Sequence, residues 1–243
     1  MKNIEKIRYI FFELSNICNY SYIHKKCPLS DIDKKITLQT NVIKKVIKEL
    51  KQIDYAGEIA FHVYNEPLID QRLFYLTEYA KDTCKKSKIR LMTNGFYLTQ
   101  DLADEIYEYG VDKIEVSLYS QKEEERIRQI QFRNINISFY DYYSKCLDNR
   151  KEIYEREVQR NTLPCYSLNT EIIVRHTADV DLCCLDWDMK HLFGNLQNST
   201  LEEILSTPKV QEVQYNLKQG KRYLELCKRC DWQRGLLLED VGI

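Results

Sequence analysis

The chain has 243 residues, 44% of them hydrophobic, and sets 36 Lys plus Arg against 37 Asp plus Glu for a formal charge of −1. That apolar fraction fills a substantial core and excludes a disordered chain, and the charge balance excludes the broad positive field of a non-specific nucleic-acid binder. Glu5 and Glu13 interrupt the apolar residues at the start, and no apolar run approaches the ~18 residues that span a bilayer, so no signal peptide and no membrane association are expected.

The first two thirds alternate between strand and helix patterns, which predicts a parallel sheet with crossover helices. Arg8 to Leu14 is a β-rich run, and Thr37 is placed to cap a helix carrying Leu38, Val42, Ile43, Val46, Ile47 and Leu50 at helical spacing. Glu58 to Val63 reads as the second strand, 71–85 as a helix striped by Leu73, Leu76, Ala80 and Cys84, and Ile89 to Met92 as the third strand. Thr99 starts the next helix and Gly110 suits the left-handed position after it, so that Asp112 to Leu118 is a fourth strand. A fifth strand at Ile135 to Phe139 precedes a helix from Asp141 to about Val158, and a domain boundary is expected near residue 160, giving domains 1–160 and 161–243. Beyond it, Glu171 to Arg175 and Val180 to Cys184 alternate like a hairpin. Ser199 with Glu202 reads as a capping box, and Pro208 interrupts the helix that follows.

Nine cysteines in a chain expected in the reducing cytoplasm point to metal ligation or catalysis rather than disulfides. Two of them lie in the loop after the first strand, Cys18-Asn-Tyr-Ser-Tyr-Ile-His24-Lys-Lys-Cys27-Pro28. This segment resembles the cluster loop of the radical S-adenosylmethionine superfamily, whose three cysteines hold a [4Fe–4S] cluster with one iron left for the methionyl group. The family's C-x3-C-x2-C becomes C-x5-H-x2-C here, with His24 in the middle ligand position; imidazole on cluster iron is known from Rieske centres, where it raises the potential.

Three further stretches fall at the ends of consecutive predicted strands, where α/β barrels keep their chemistry. Tyr64-Asn65-Glu66-Pro67 is similar to the family's Gly-Gly-Glu-Pro, with neither glycine kept and Asn65 chosen as a residue tolerant of unusual backbone angles. Met92-Thr93-Asn94-Gly95 looks like its Thr-Asn-Gly, and Glu115-Val-Ser117-Leu-Tyr119 like its ribose-contacting segment. The resemblance thus implies S-adenosylmethionine on Asn65, Glu66, Pro67, Thr93, Asn94, Glu115 and Ser117, and an α/β partial (β/α) barrel of five or six parallel strands with a small C-terminal iron–sulfur cluster domain.

The last third holds Cys165, Cys183-Cys184 and Cys227-Lys-Arg-Cys230, a set whose spacing suits either a tetrahedral zinc or a four-thiolate cluster. The run Ala178-Asp-Val180-Asp-Leu-Cys183-Cys184, with Gly194-Asn195-Leu196 after it, is similar to the twitch and SPASM domains of radical S-adenosylmethionine enzymes. That likeness implies a second [4Fe–4S] cluster on Cys165, Cys183, Cys227 and Cys230, with Cys184 the competitor of Cys183. Cys84 and Cys146 read as small core residues, although Cys146 or Cys184 could serve as a hydrogen donor in an epimerase; His62 and His176 carry no assignment.

The family splits the bound sulfonium reductively, and the 5′-deoxyadenosyl radical abstracts hydrogen from unactivated carbon. The expected partners are a small polar substrate (a sugar, cyclitol or nucleoside derivative, oxidised or epimerised) and a flavodoxin- or ferredoxin-like electron donor. The competing readings are a maturase of ribosomal peptides and a non-catalytic iron–sulfur protein.

Overall fold

The computed structural model describes residues 3–23, 27–30, 33–141, 157–158 and 162–230. The barrel part runs β1 (Tyr9–Phe12), α1 (Thr40–Gln52), β2 (Glu58–Ala60), α2 (Leu73–Thr83), β3 (Lys88–Thr93), α3 (Gln100–Glu108), β4 (Lys113–Leu118), α4 (Gln121–Ile127) and β5 (Asn136–Asp141). The chain continues through α5 (Ser167–Thr170), β6 (Glu171–Val174), β7 (Asp179–Asp181), β8 (Leu192–Asn195), α6 (Leu201–Leu205), α7 (Pro208–Lys218) and α8 (Glu225–Lys228). The strands form one sheet in the order β5-β4-β3-β2-β1-β6-β7-β8. The pairs from β5 through β1 to β6 are parallel, and β7 and β8 extend the sheet antiparallel.

The expected barrel is therefore realised with six parallel strands. The expected hairpin is present as β6 and β7, yet β6 also pairs with β1, Tyr9 opposite Glu171 and Phe12 opposite Val174, so the sheet continues past residue 160. The reason is visible in β6 itself: Ile172, Ile173 and Val174 are all buried, the continuous apolar run of a strand covered on both faces.

Strand alternation gives the sheet two different faces. Ile10, Phe12, Ile59, Phe61, Ile89, Leu91, Ile114 and Val116 are buried with the apolar stripes of α1 and α2 in one core. The opposite face carries Phe11, Glu13, His62, Arg90, Glu115 and Arg175, an unusually polar lining for a barrel interior and the ground on which a site can be built.

Several local expectations shift by a few residues. α1 starts at Thr40 behind Gln39, without a side-chain cap, because Thr37 is instead bridged to Ser15. The capping box uses Thr200 and Glu203 rather than Ser199 and Glu202; Glu202 is taken by the backbone N–H groups of Asn3 and Ile4, which it ties down. Thr99 caps α3 through Leu102 N–H, and Gly110 has φ +82°, as the sequence predicts. Pro208 opens α7 at its first turn, where its missing N–H costs nothing. Cys84 is core, its thiol donating to the Ile47 carbonyl. The helix expected from Asp141 to Val158, with Cys146, lies almost wholly outside the described residues, as does His24.

Candidate active site

The C-terminal ends of β1 to β4 bring the first cysteine loop and the two following motifs together. Glu66 is 3% exposed, and its carboxylate accepts from Thr93 Oγ1 (2.6 Å), Asn94 N–H (2.8 Å) and Leu68 N–H (3.1 Å). Burial outweighs these three bonds and pushes its carboxyl up to about 7, and among the described residues no cationic side chain is one of its partners. The Glu66 N–H donates to the Ile17 carbonyl beside Cys18, and Asn94 reaches Asn19 Oδ1 at 2.7 Å and the Cys18 sulfur at 3.8 Å. Thus Cys18, Glu66, Thr93 and Asn94 form one constellation although they are far apart in the chain.

Backbone conformation explains why the missing glycines are tolerated. Asn65 does not enter the left-handed region; its side chain holds the turn instead, accepting from Val63 N–H and donating to the Phe61 carbonyl. Gly95 does need to be glycine: at φ +74° a Cβ would lie 2.5 Å from Ile127 Cδ1 and 2.9 Å from Val116 Cγ1. Pro67 is buried and opens a single 3-10 turn capped by Glu66.

Glu115 lies on the interior face of β4. Its carboxylate is engaged by Arg90 (2.8 Å) and Lys113 (2.7 Å), which overcome burial and hold it below the usual range, so it belongs to the polar barrel wall rather than to the Glu66 constellation. Ser117, two residues nearer the strand end, is buried. His62 stands on the same wall, edge-on to Phe11; burial pushes its imidazole down to about 3, with Arg90 adding to the effect, and among the described residues Nδ1 has no partner.

Cys165, Cys183, Cys227 and Cys230 line one small cavity of about 30 Å³, together with Leu182, Leu217 and Leu226. Cys184 is not among its lining residues. Burial pushes the Cys227 thiol up to about 12 and Cys183 well above its usual value, with neighbouring cysteines adding to both, so deprotonation there requires a metal. A single zinc needs thiolates ~2.3 Å from one point. Among the described residues no group of three His, Cys, Asp or Glu converges in that way.

Between the two cysteine sets lies a buried ionic knot that sequence reasoning did not single out. Arg175 is 2% exposed, with Nε 3.3 Å from Glu13 Oε2 and 3.6 Å from Asp181 Oδ2, and His176 Nδ1 sits 2.6 Å from the same Glu13 oxygen. Burial alone would raise the Glu13 carboxyl; the Arg175 charge and the His176 bonds reverse this and hold it below its ordinary range. Strand parity carried the signal, since Glu13 and Arg175 continue β1 and β6 on the interior face, but only the β1–β6 pairing reveals it.

A model of the radical SAM superfamily matches residues 15–155, more than half of the chain. The chain belongs to the radical SAM superfamily. An iron–sulfur cluster-binding SPASM model matches 165–231. A curated relative, the S-adenosyl-L-methionine-dependent 2-deoxy-scyllo-inosamine dehydrogenase of Niallia circulans, is 24% identical over 234 residues, 90% of each chain. Among solved structures, BtrN in complex with AdoMet and 2-DOIA is similar at TM-score 0.79 and 23% identity, covering 93% of both chains. The anSMEcpe enzyme with bound AdoMet is similar at TM-score 0.58 and 15% identity, covering 93% of this chain and 87% of that one. Among the described residues no helix is long and apolar enough to cross a membrane.

Radical SAM membership brings S-adenosylmethionine and iron–sulfur as cofactors, and this chain's residues fit both. Glu66 is a buried carboxylate with no positive partner among the described residues, a group whose chemistry fits a methionyl ammonium. The four-cysteine pocket offers the thiolate set that an iron–sulfur cluster takes.

Proposed function

We propose that this radical SAM protein oxidises a small, hydroxyl-rich ring substrate, a cyclitol or sugar derivative, at one carbinol carbon. The substrate loses a hydrogen atom from carbon, a proton from the hydroxyl and one electron, leaving a carbonyl. The observation that carries this reading is the four-cysteine pocket of Cys165, Cys183, Cys227 and Cys230, because a second redox group gives the last electron somewhere to go. Likeness over nine tenths of its length to a cyclitol dehydrogenase supports it further.

When bound, S-adenosylmethionine and two [4Fe–4S] clusters supply a hydrogen-atom abstractor and a one-electron acceptor. In the proposal Cys18, His24 and Cys27 hold the N-terminal cluster and leave one iron for the cofactor. Asn65 and Pro67 shape the turn that aims Glu66 at the methionyl ammonium, Thr93 and Asn94 keep that carboxylate from rotating, and Ser117 faces the ribose. In the proposal residues 1–160 carry these duties and 161–243 the auxiliary cluster, with one sheet running through both. Arg90, Glu115 and neutral His62 line the interior with groups able to hydrogen-bond hydroxyls, and among the described residues His62 Nδ1 has no partner of its own. A flavodoxin- or ferredoxin-like protein would deliver the starting electron.

The test is anaerobic turnover of reconstituted protein with dithionite, S-adenosylmethionine and a panel of cyclitols and aminocyclitols. One ketone formed per 5′-deoxyadenosine, and none with Cys18→Ala, is expected. Product only from peptides would replace this reading with the maturase one, in which Cys184 or Cys146 could return hydrogen.

A further inference from the structure

The oxidation proposed above takes a proton from the substrate hydroxyl, and a group must receive it. Glu13 is wholly buried, and its two carboxylate oxygens have unlike surroundings. Oε2 is occupied: His176 Nδ1 stands 2.6 Å away, and the His176 N–H and Arg175 Nε each stand 3.3 Å away. Oε1, on the same carbon, is buried and has no hydrogen-bond partner among the described residues. Arg175 is divided in the same way. Its Nε faces Glu13 and Asp181, while Nη1 is buried with no partner among the described residues.

A pair that only neutralises charge does best side by side, with two guanidinium nitrogens on two oxygens. The contact here runs from Nε to Oε2 and leaves one acceptor and one donor over. Buried polar atoms nearly always find partners, and a catalytic role is one of the few reasons for an exception. A carbinol hydroxyl needs one acceptor for its proton and one donor for its oxygen, the two kinds of atom left over. Position agrees with this. The Arg175 guanidinium carbon lies 4.8 Å from the centre of the Tyr64 ring. Tyr64 shares an apolar cluster with Cys27 and Leu29, and its hydroxyl donates to the Cys184 carbonyl. The ion pair thus stands between the N-terminal cysteine loop and the four-cysteine cavity, where a substrate would lose its hydrogen atom on one side and its electron on the other.

We propose that Glu13 is the proton acceptor of this oxidation, Oε1 taking the hydroxyl proton while Arg175 Nη1 holds the hydroxyl oxygen. The proposal rests on the carbinol-oxidation reading. The carbon-bound hydrogen leaves as an atom to the 5′-deoxyadenosyl radical drawn from S-adenosylmethionine. The O–H bond then breaks, its proton going to Oε1 and its electron pair staying on oxygen. Of that pair and the unpaired electron on carbon, two electrons complete the carbonyl, and the third reduces the auxiliary iron–sulfur group. The Arg175 charge favours the negative charge that builds on oxygen as the proton leaves. A hydroxyl on a radical carbon is far more acidic than that of the alcohol, so a carboxylate within hydrogen-bond reach suffices.

The test is a single anaerobic turnover of the holoenzyme with a cyclitol of the panel above, deuterated at its ring carbons. Deuterium in 5′-deoxyadenosine reports the hydrogen-atom step, and ketone reports loss of the proton and the electron. Glu13→Gln should still transfer deuterium, while ketone per 5′-deoxyadenosine falls by about tenfold or more. A substrate-centred radical should then build up in electron paramagnetic resonance, its lines narrowed by deuteration. Glu13→Asp keeps the Arg175 charge compensated but draws the oxygen back by one methylene. It should lower the ratio less steeply, and it decides the matter if Glu13→Gln folds poorly. An unchanged ratio in either folded variant overturns the proposal, as does loss of deuterium transfer together with ketone, the mark of a pair that only shapes the fold. A wild type that makes no ketone from any cyclitol brings down the oxidation reading itself, whereas an unchanged ratio in Glu13→Gln removes only Glu13 from it.

Discussion

Binding of S-adenosylmethionine should depend on pH through Glu66, whose buried carboxyl is pushed up from 4.5 to about 7. In the free protein the carboxylate form is then about one tenth populated at pH 6 and about nine tenths at pH 8. Only that form pairs with a methionyl ammonium, so ionisation of Glu66 alone weakens binding about tenfold between pH 8 and pH 6. Glu66→Gln loses a charge-assisted bond of about 1.5–3 kcal/mol, or roughly 10- to 100-fold in affinity. The cofactor's own amine titrates in the same window, but it does so equally in both proteins. The quantity to measure is therefore the ratio of variant to wild-type dissociation constants, by anaerobic calorimetry: large at pH 8 and about tenfold smaller at pH 6. A ratio that stays constant across this range would refute the assignment of Glu66. The same shift carries a sign for folding. The raised carboxyl costs the cofactor-free protein nothing below pH 4.5 and about 3 kcal/mol by pH 8, lost progressively as pH rises through 7.

Two further outcomes follow from the cysteine pocket and the ionic knot. Reconstituted wild type should carry about eight irons; Cys227→Ala should drop to about four, and Cys184→Ala, whose residue does not line the pocket, should keep all eight by iron and sulfide assay. Arg175→Met leaves the Glu13 carboxylate buried beside the second acid, Asp181, and should destabilise by about 3–5 kcal/mol in urea titrations. Adding Glu13→Gln to it should recover part of that loss, and a purely additive double variant would show that the two groups are not coupled.

What the sequence determined by itself was everything carried by local spacing. The helical stripe of α1, the Thr99 cap, the glycine after α3 and the order of cysteine loop, Glu66, Thr93-Asn94 and Ser117 on successive strand ends all follow from neighbours along the chain. Caps proved shiftable by one to three residues, because Thr37 and Glu202 found tertiary partners in Ser15 and the backbone at Asn3 and Ile4. Only the folded chain could decide what depends on pairing between distant segments. That β6 closes against β1, that Glu115 is spent on Arg90 and Lys113, and that Cys183 rather than Cys184 faces the pocket are results of strand register and loop geometry. The buried meeting of Glu13, Arg175 and Tyr64 is of the same kind: their separation in sequence is large, and a charge becomes tolerable in the interior only once its partners arrive from other strands.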